Sequence, residues 1–302
     1  MGADLPDEAD VPPDGHADRQ DDQGATGQSA RSRRAEAETR NRQECYDDLR
    51  VAVSADESAS AQQAATEEQE ASGKWNECVT ESRWMWSEYQ RKWPPEDRPP
   101  ADRSDDDPEI TAQVEAACDR IADLERDKIT PAMRTIESQD PNRHLIGFGD
   151  RLKDPDRIKE KVFSKMKEFV DFSPDDAISN VKDAIRYTLQ YQESRYTQGV
   201  WADIGRMKEQ GFELHQLWNA WSDEQYKGIN SQWVEPDTGQ RFEVQFHTCI
   251  SYEAKQLTHT SYERLRTHQA DKFEQMVLEA FQKKVSGEVP VPPGATDIPD
   301  YP

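Results

Sequence analysis

The stretch that decides the fold is Arg241-Phe242-Glu243-Val244-Gln245-Phe246-His247-Thr248. Apolar and polar side chains alternate along it, and successive side chains of a β-strand point to opposite faces of a sheet. The alternation therefore predicts a strand that buries Phe242, Val244 and Phe246. Glu243, Gln245 and His247 then share the opposite face, for which a solvated surface is the ordinary expectation.

The residues around this strand predict alternating helices and strands from Asn142 onward. The turn over 236–239 joins a strand at 233–234 to the one at 241–248 in an antiparallel hairpin. Alternation over 181–191 predicts a further strand, and another is expected over 212–221. Helices are expected from Asp154-Pro155 to Phe169, from Tyr196 to Gly211 and from 251 to 285. The predicted fold class is α+β, a mixed sheet flanked by helices.

The first 140 residues predict an acidic, all-helical module that precedes the sheet. Residues 1–30 have the composition of a disordered tail. A mostly solvated helix or helix pair follows, and the aromatic-rich segment from Trp75 to Trp93 predicts a helix buried against a neighbour. A 4-3-4-3-4 spacing, which is typical of a coiled-coil seam, is formed by Ile110, Val114, Ala117, Ile121, Leu124 and Lys128. Thr130-Pro131 is expected to break or bend this helix. The expected boundaries are a tail over 1–30, a helical module over 31–140, an α+β domain over 141–285 and a Pro-rich tail over 286–302.

The charge of the chain limits its partners. Its 302 residues carry a formal charge of −23, of which about −18 lies in residues 1–140. Such a surface repels nucleic acid and anionic membranes, so a nucleotide or RNA must bind at a local basic site. No apolar stretch is long enough to span a bilayer, and residues 1–22 lack the apolar segment of a signal peptide. We expect a cytoplasmic site of action, with export left open.

The four cysteines, Cys45, Cys78, Cys118 and Cys249, lack the spacing of a zinc site. Two interpretations stay open. Cys45 and Cys78 are free thiols on helices, or they bridge two helices of a hairpin in an oxidising compartment.

Five segments, in order, resemble the motifs of RelA/SpoT-type alarmone synthetases. The strand motif 242–248 resembles Glu-Val-Gln-Ile-Arg-Thr, and the segment 151–161 resembles the Arg-x-Lys, helix, Lys segment that holds ATP phosphates. Residues 181–186 resemble the strand that supplies a metal-binding aspartate followed by an arginine. Residues 226–230 resemble the loop whose tyrosine stacks on the acceptor base, and 259–263 resemble the His-x-x-Tyr ending. The resemblance covers about residues 145–266.

The resemblance implies a nucleotidyltransferase-like fold and a Mg²⁺-dependent pyrophosphokinase that uses ATP. The implied metal ligands and catalytic residues are Asp183 and Glu243. The implied ATP-binding residues are Arg151, Lys153, Lys161 and Arg186. The implied acceptor-binding residues are Tyr226, Asn230, Gln245 and His247.

Two departures from the family pattern affect the choice of acceptor. His247 stands in place of the motif arginine, and Asn230 in place of the loop histidine. Three hypotheses follow: a pyrophosphokinase acting on a purine nucleotide, with a ppGpp- or ppApp-type product; a toxin acting on the 3′ end of tRNA; or an inactive nucleotide-binding module. For residues 1–140 we expect a role in self-association or in autoinhibition.

Overall fold

A computed structural model describes residues 59–94, 107–169, 172–179, 181–266 and 270–302. The predictions made for the tail over 1–30, for residues 31–58 and for the proline-rich linker over 95–106 lie outside these residues. No helix within the described ranges combines the length and the apolar character that a bilayer span requires.

A five-stranded mixed sheet forms the centre of the fold, in the order β1-β2-β5-β4-β3. The strands are β1 (Arg143–Ile146), β2 (Arg186–Tyr191), β3 (Glu213–Asn219), β4 (Ile229–Val234) and β5 (Arg241–Thr248). β2 pairs with β5 in parallel, and the other neighbouring pairs are antiparallel. Strand β5 is thus the central strand of the sheet. Its Phe242, Val244 and Phe246 are fully buried, as the alternation predicts.

Helices flank the sheet, so the predicted α+β class is confirmed. They are α1 (Ala59–Lys92), α2 (Pro108–Leu124), α3 (Thr130–Ser138), α4 (Pro155–Glu168), α5 (Pro174–Ser179), α6 (Tyr196–Glu209), α7 (Cys249–Arg266) and α8 (Lys272–Gly287). Asp107 and Asp154 accept hydrogen bonds from backbone N–H groups at the starts of α2 and α4, where a proline follows each of them. These caps are the reason why the two Asp-Pro pairs predict helix starts correctly.

The N-terminal helices contribute to the same core as the sheet. Val114 and Ile121 of α2 and Ile136 of α3 are buried in one apolar cluster with β2 and β5. The aromatic-rich helix α1 packs on α7 and α8, as predicted for a buried helix. The indole Nε1 of its Trp75 donates a buried hydrogen bond of 2.8 Å to Glu253 of α7.

Several predicted element boundaries were wrong. The strand expected over 181–191 begins only at Arg186, because residues 182–184 form a turn. The closing helix expected over 251–285 is two helices, α7 and α8, and Asp271 caps the second by accepting from backbone N–H groups of its first turn. The break expected at Thr130-Pro131 is instead a π-helical turn over Glu125–Ile129 that links α2 to α3. Strand β1 was missed, because four residues are too few for a periodicity.

The C-terminal residues and the cysteines also differ from expectation. Tyr301, in the segment predicted as a Pro-rich tail, pairs with Leu217 of the edge strand β3 through two backbone hydrogen bonds of 2.9 Å. Cys78 is a buried free thiol, so the bridge considered between Cys45 and Cys78 is wrong. Cys118 is free as well, whereas Cys249 is disulfide-bonded.

Candidate functional site

A cleft of about 700 Å³ opens beside the polar face of β5. Strands β2, β4 and β5, the loop after β3 and helices α7 and α8 supply its walls. The side chains that the sequence singles out and that line it are Asp183, Arg186, Tyr226, Asn230, Glu243 and Gln245. The pairing of the strands brings these side chains together, since Arg186 of β2 lies opposite Glu243 of β5, and Asn230 of β4 lies opposite Gln245 of β5.

Asp183 is the centre of a cluster of cations at one end of the cleft. Its carboxylate receives Lys161 Nζ at 2.8 and 3.0 Å and Lys153 Nζ at 2.9 Å. The Arg186 Nη2 atom donates to the same group at 3.0 Å. Three cations therefore surround one carboxylate, and this surplus of positive charge is suited to binding an oligophosphate.

Arg186 also joins the two predicted metal carboxylates. Its Nη2 lies 3.0 Å from Asp183 Oδ2 and 3.3 Å from Glu243 Oε2, so the two carboxylates stand on either side of one nitrogen. Its Nε is buried and has no hydrogen-bond partner among the described residues. An unpaired buried guanidinium nitrogen is costly, so this atom is poised to donate to a ligand.

Charge fixes the protonation state of this cluster. Burial alone would raise the pKa of Asp183, but the hydrogen bonds and charges of Lys161 and Lys153 lower that pKa to about 2. The pKa of Lys153 is lowered by burial, against the opposing effect of Asp183. The carboxylate is therefore ionised at neutral pH, as a metal ligand must be.

Gln245 and Lys255 hold Glu243 in place. The Gln245 Nε2 atom donates to Glu243 Oε1, and Lys255 Nζ donates to Gln245 Oε1. Lys255 comes from α7, directly after β5, and the sequence patterns did not single it out. These two hydrogen bonds leave Glu243 Oε2 facing Arg186 and the cleft.

Arg151 does not line the cleft. Its Nε donates to Glu125 Oε1 at 2.7 Å, and its guanidinium lies over the Phe148 ring at 4.3 Å. Glu125 belongs to the π-helical turn and is buried, so the partner of Arg151 comes from the N-terminal helices. The proposed contact of Arg151 with ATP stays a prediction.

Tyr226 and Asn230 of the cleft lining form one hydrogen-bonded group with the buried His247. The Tyr226 hydroxyl donates to Asn230 Oδ1 at 2.9 Å, and it lies 2.8 Å from His247 Nε2. Because that hydroxyl has a single proton, Nε2 carries the ring proton, and Nδ1 then accepts from the Ser251 hydroxyl at 2.9 Å. His247 is fully buried, and this burial lowers its pKa well below the ordinary value. The neutral histidine thus orients Tyr226, and its predicted contact with an acceptor stays untested.

Gly228 allows this group to pack closely. A Cβ at this position would lie 2.7 Å from His247 Cε1 and 3.1 Å from the Phe246 carbonyl oxygen, and the backbone φ is +144°. Only glycine accepts both the conformation and the close approach.

Exposed aromatic rings also line the cleft. Trp218 of β3 stacks on Tyr226 with a centroid distance of 5.8 Å and remains 44% exposed, and Tyr262 of α7 is 54% exposed. Neither was assigned to an acceptor subsite from the sequence. Trp218 belongs to no family motif, and its exposure depends on the edge position of β3.

The residues present fit a magnesium ion whose remaining ligands are substrate oxygens. Asp183 and Glu243 are hard oxygen donors, and Mg²⁺ in phosphoryl-transfer sites is usually held by one or two carboxylates together with phosphates. No cluster of three or more His, Cys, Asp or Glu side chains suited to a metal occurs in the part of the chain that the structure describes. The two carboxylates would therefore hold the ion only together with a bound nucleotide.

No protein-family model matches the chain, and no curated protein does. Solved structures with a similar fold were found. A GTP pyrophosphokinase family protein from Streptococcus pneumoniae is 14% identical, with 60% of this chain and 87% of that chain covered and a TM-score of 0.38.

Two further structures complete the comparison. Small alarmone synthetase 1 from Bacillus subtilis, bound to its product pppGpp, is 12% identical over 59% of this chain and 87% of that chain, with a TM-score of 0.35. The Type VI effector Tas1, in complex with its immunity protein, is 16% identical over 59% of this chain and 95% of that chain, with a TM-score of 0.35. At these identities and TM-scores the comparison leaves substrate and partner open.

Proposed function

We propose that this protein is a pyrophosphokinase that transfers the β,γ-pyrophosphate of ATP to the 3′-hydroxyl of a purine nucleotide. The observation that carries the proposal is the arrangement of Lys153, Lys161 and Arg186 around Asp183, next to Glu243. Cations at an anion-binding cleft beside paired carboxylates are what in-line transfer between phosphates requires, since catalysis of this step is mainly positioning and charge stabilisation.

The reaction balances with the groups in the cleft. The acceptor 3′-oxygen attacks the β-phosphorus of ATP, the bond between the β-phosphorus and the oxygen bridging to the α-phosphorus breaks, and AMP leaves. Glu243 takes the proton of the 3′-hydroxyl, and Gln245 orients that carboxylate. Lys153, Lys161 and Arg186 hold the triphosphate as charge builds on its oxygens. When bound, Mg²⁺ supplies further positive charge at Asp183 and Glu243.

Two lysines of helix α4 are already paired with carboxylates, which counts against tRNA as the substrate. A tRNA substrate needs an exposed basic surface near the site, and Lys159, Lys161, Lys165 and Lys167 are the candidates on α4. Lys161 is directed to Asp183, and Lys159 pairs with Glu115 of α2 at 2.7 Å. Because two of the four are committed to carboxylates, we favour a free nucleotide as acceptor over tRNA.

The non-enzymatic alternative is disfavoured by the state of the carboxylates. A degenerate binding module has no need of two carboxylates facing one arginine, because carboxylates disfavour the phosphates that it binds. Both are present here, and one is kept ionised by its surroundings.

Transfer of label from γ-³²P-ATP tests the proposal. The full chain is incubated with Mg²⁺ and, separately, with AMP, GMP, ADP, GDP, GTP or bulk tRNA, beside Glu243→Gln. We expect label on a free purine nucleotide that is lost in Glu243→Gln and kept in the control Glu213→Gln, an exposed carboxylate at the start of β3. Label on tRNA alone would establish the alternative substrate, and label on nothing would leave the binding module as the function.

A further inference from the structure

A buried carboxylate outside the cleft joins two parts of the chain that carry cations of the cleft. Glu125 belongs to the π-helical turn between α2 and α3 and is only 1% exposed. Its Oε1 accepts from Arg151 Nε at 2.7 Å and from the Tyr187 hydroxyl at 2.9 Å. The Thr130 hydroxyl donates to the same oxygen. Glu125 precedes the stretch over 145–266 that carries the family motifs, so no motif accounts for it.

The first part of the chain that this carboxylate holds is the short segment over 151–153. The Arg151 carbonyl accepts a hydrogen bond of 2.8 Å from the Arg186 backbone N–H, so the segment lies against the start of β2. Lys153, two positions after Arg151, extends its Nζ to Asp183 Oδ2 at 2.9 Å. The contact that fixes the Arg151 side chain therefore also fixes the backbone from which Lys153 reaches the cleft.

The second part is strand β2 itself. Arg186 and Tyr187 are neighbours on this strand, so their side chains point to opposite faces of the sheet. Arg186 faces the cleft, where its Nη2 donates to Asp183 at 3.0 Å. Tyr187 is buried on the other face, where its hydroxyl meets Glu125. One oxygen atom thus contacts the supports of Lys153 and of Arg186 from behind the cleft.

The relative placement of these two cations matters for an oligophosphate ligand. Binding and transfer of a phosphate chain depend on several charges held at fixed positions, and a displacement of about 1 Å from a distant change can cost about a hundredfold in rate. A hydrogen-bonded buried carboxylate gives such a support its rigidity. Burial acts to raise the pKa of Glu125, but the hydrogen bonds of Thr130, Arg151 and Tyr187 lower it overall, so the group is ionised at neutral pH.

We infer that Glu125 is a positioning residue for the oligophosphate site, because it holds the 151–153 segment and β2 at the spacing that lets Lys153 and Arg186 bind one phosphate chain. The N-terminal helices are by this contact a working part of the site. The inference rests on the proposed function for the reaction. The binding of an oligophosphate, however, can be measured without turnover.

Calorimetric titration of the full chain with inorganic tripolyphosphate and Mg²⁺ tests the inference. Glu125→Gln keeps the length of the side chain and removes its charge, and we expect it to raise the dissociation constant about tenfold. Tyr187→Phe removes one of the hydrogen bonds to Glu125 and should raise the dissociation constant about threefold. Burial raises the pKa of the Tyr187 hydroxyl, so this second variant alters no charge at neutral pH.

Ile136→Ala is the control for lost stability. Ile136 of α3 is fully buried in the same apolar core, so its truncation weakens the packing of the N-terminal helices and leaves the hydrogen bonds of Glu125 in place. Tripolyphosphate binding in this variant should stay within about twofold of the wild type. All titrations are made well below the thermal midpoints of the variants, so that each protein is folded.

Steady-state kinetics separates positioning from general damage to the enzyme. Glu125→Gln should raise the KM for ATP about tenfold and change the KM for the acceptor less than about twofold, because only the cations of the phosphate site are displaced. Ile136→Ala should change neither KM by more than about twofold. Equal increases in both KM values of Glu125→Gln would contradict a role confined to the phosphate site.

The outcomes separate the inference from the proposed function. Unchanged tripolyphosphate binding in Glu125→Gln would confine Glu125 to the core, and tighter binding would show that Glu125 competes with phosphate for Arg151; either result would overturn the inference. An equal loss in Ile136→Ala would overturn it as well. Weaker binding in Glu125→Gln and Tyr187→Phe supports the inference even where the label-transfer assay finds no product, and that pair of results would reject the transfer alone.

Discussion

Individual lysines of helix α4 differ in whether they reach the cleft. Lys161 and Lys159 lie two positions apart on α4 and differ in their partners. Lys161 reaches Asp183 in the cleft, whereas Lys159 pairs with Glu115 outside it. The two lysines are therefore a matched pair for testing whether the cation cluster binds ATP.

We expect Lys161→Met to raise the KM for ATP by about tenfold to a hundredfold, since a hydrogen bond to a charged group contributes about 1.5–3 kcal/mol. Lys159→Met should change it less than about twofold. Initial rates at varied ATP concentration check this. Equal effects of the two substitutions would place the triphosphate elsewhere.

The lowered pKa of Asp183 predicts how the free energy of unfolding depends on pH in acid. The group titrates at about 2 in the folded protein against an ordinary 3.8, so it contributes about 2 kcal/mol of stability. Because the folded value is the lower one, this contribution is complete above about pH 4 and is lost as the pH falls through about 2.

Asp183→Asn should therefore lower the free energy of unfolding most near pH 6–7, and the difference from wild type should shrink as the pH falls below about 4. Urea unfolding at a series of pH values measures it. The surface substitution Asp119→Asn serves as control and should cost less than about 1 kcal/mol. A difference between Asp183→Asn and wild type that is independent of pH would show that Asp183 is not the titrating group.

At the scale of elements, the π-helical turn at Glu125–Ile129 places a buried carboxylate against the sheet. Glu125 Oε1 accepts from Arg151 Nε at 2.7 Å and from the Tyr187 hydroxyl at 2.9 Å. Burial acts to raise the pKa of Glu125, but hydrogen bonds from Thr130, Arg151 and Tyr187 lower it overall. Removing the charge would leave Arg151 without its partner.

We expect Glu125→Gln to reduce the free energy of unfolding by about 1–3 kcal/mol, because it removes the charge that the partly buried Arg151 pairs with. The control is Glu115→Gln on α2. It should lower the free energy of unfolding by less than about 1 kcal/mol, because Glu115 is exposed and pairs with Lys159 at the surface. Denaturant unfolding at neutral pH compares the two variants with the wild type. Similar costs would mean that the buried pair contributes no more than a surface pair.

The elements also show what the sequence could and could not predict. Strand β5 was predicted correctly because its apolar residues Phe242, Val244 and Phe246 alternate with polar ones and are buried. The expected solvated surface on the opposite face is wrong for Gln245 and His247, which are buried as well. Gly211 ends α6 in the left-handed conformation. The π-helical turn was not foreseen, because Pro131 predicts a break and the structure keeps the helix by widening one turn. Gln282 and Lys255 carry no motif, and only the packing of α7 and α8 on the sheet brings them to the cleft.

For the whole molecule, residues of the N-terminal helices are part of the core on which the cleft is built. Ile129 and Ile136 are fully buried in the cluster that contains β2 and β5. Removing residues 1–140 would strip this side of the core. A rise in activity on that deletion, expected from autoinhibition, is therefore not the result we predict.

Ile129→Ala should lower the free energy of unfolding by about 2–5 kcal/mol, since it leaves a cavity in the core, whereas the partly buried Ile110→Ala on α2 should cost less. Deletion of residues 1–140 should abolish cooperative unfolding. Urea and thermal melts of the three variants check this. A deletion variant that unfolds cooperatively with the wild-type midpoint would show that the sheet and its own helices suffice.

The measurement that tests the central claim most directly is the product stoichiometry, followed by ³¹P NMR with ATP, Mg²⁺ and GDP. The account predicts that one AMP forms for each GDP converted, and that two new phosphorus signals belong to a diphosphate on the 3′-oxygen. ADP as the product would mean transfer of a single phosphoryl group. AMP with free pyrophosphate would mean hydrolysis, and either result would contradict transfer of the pyrophosphate to a ribose.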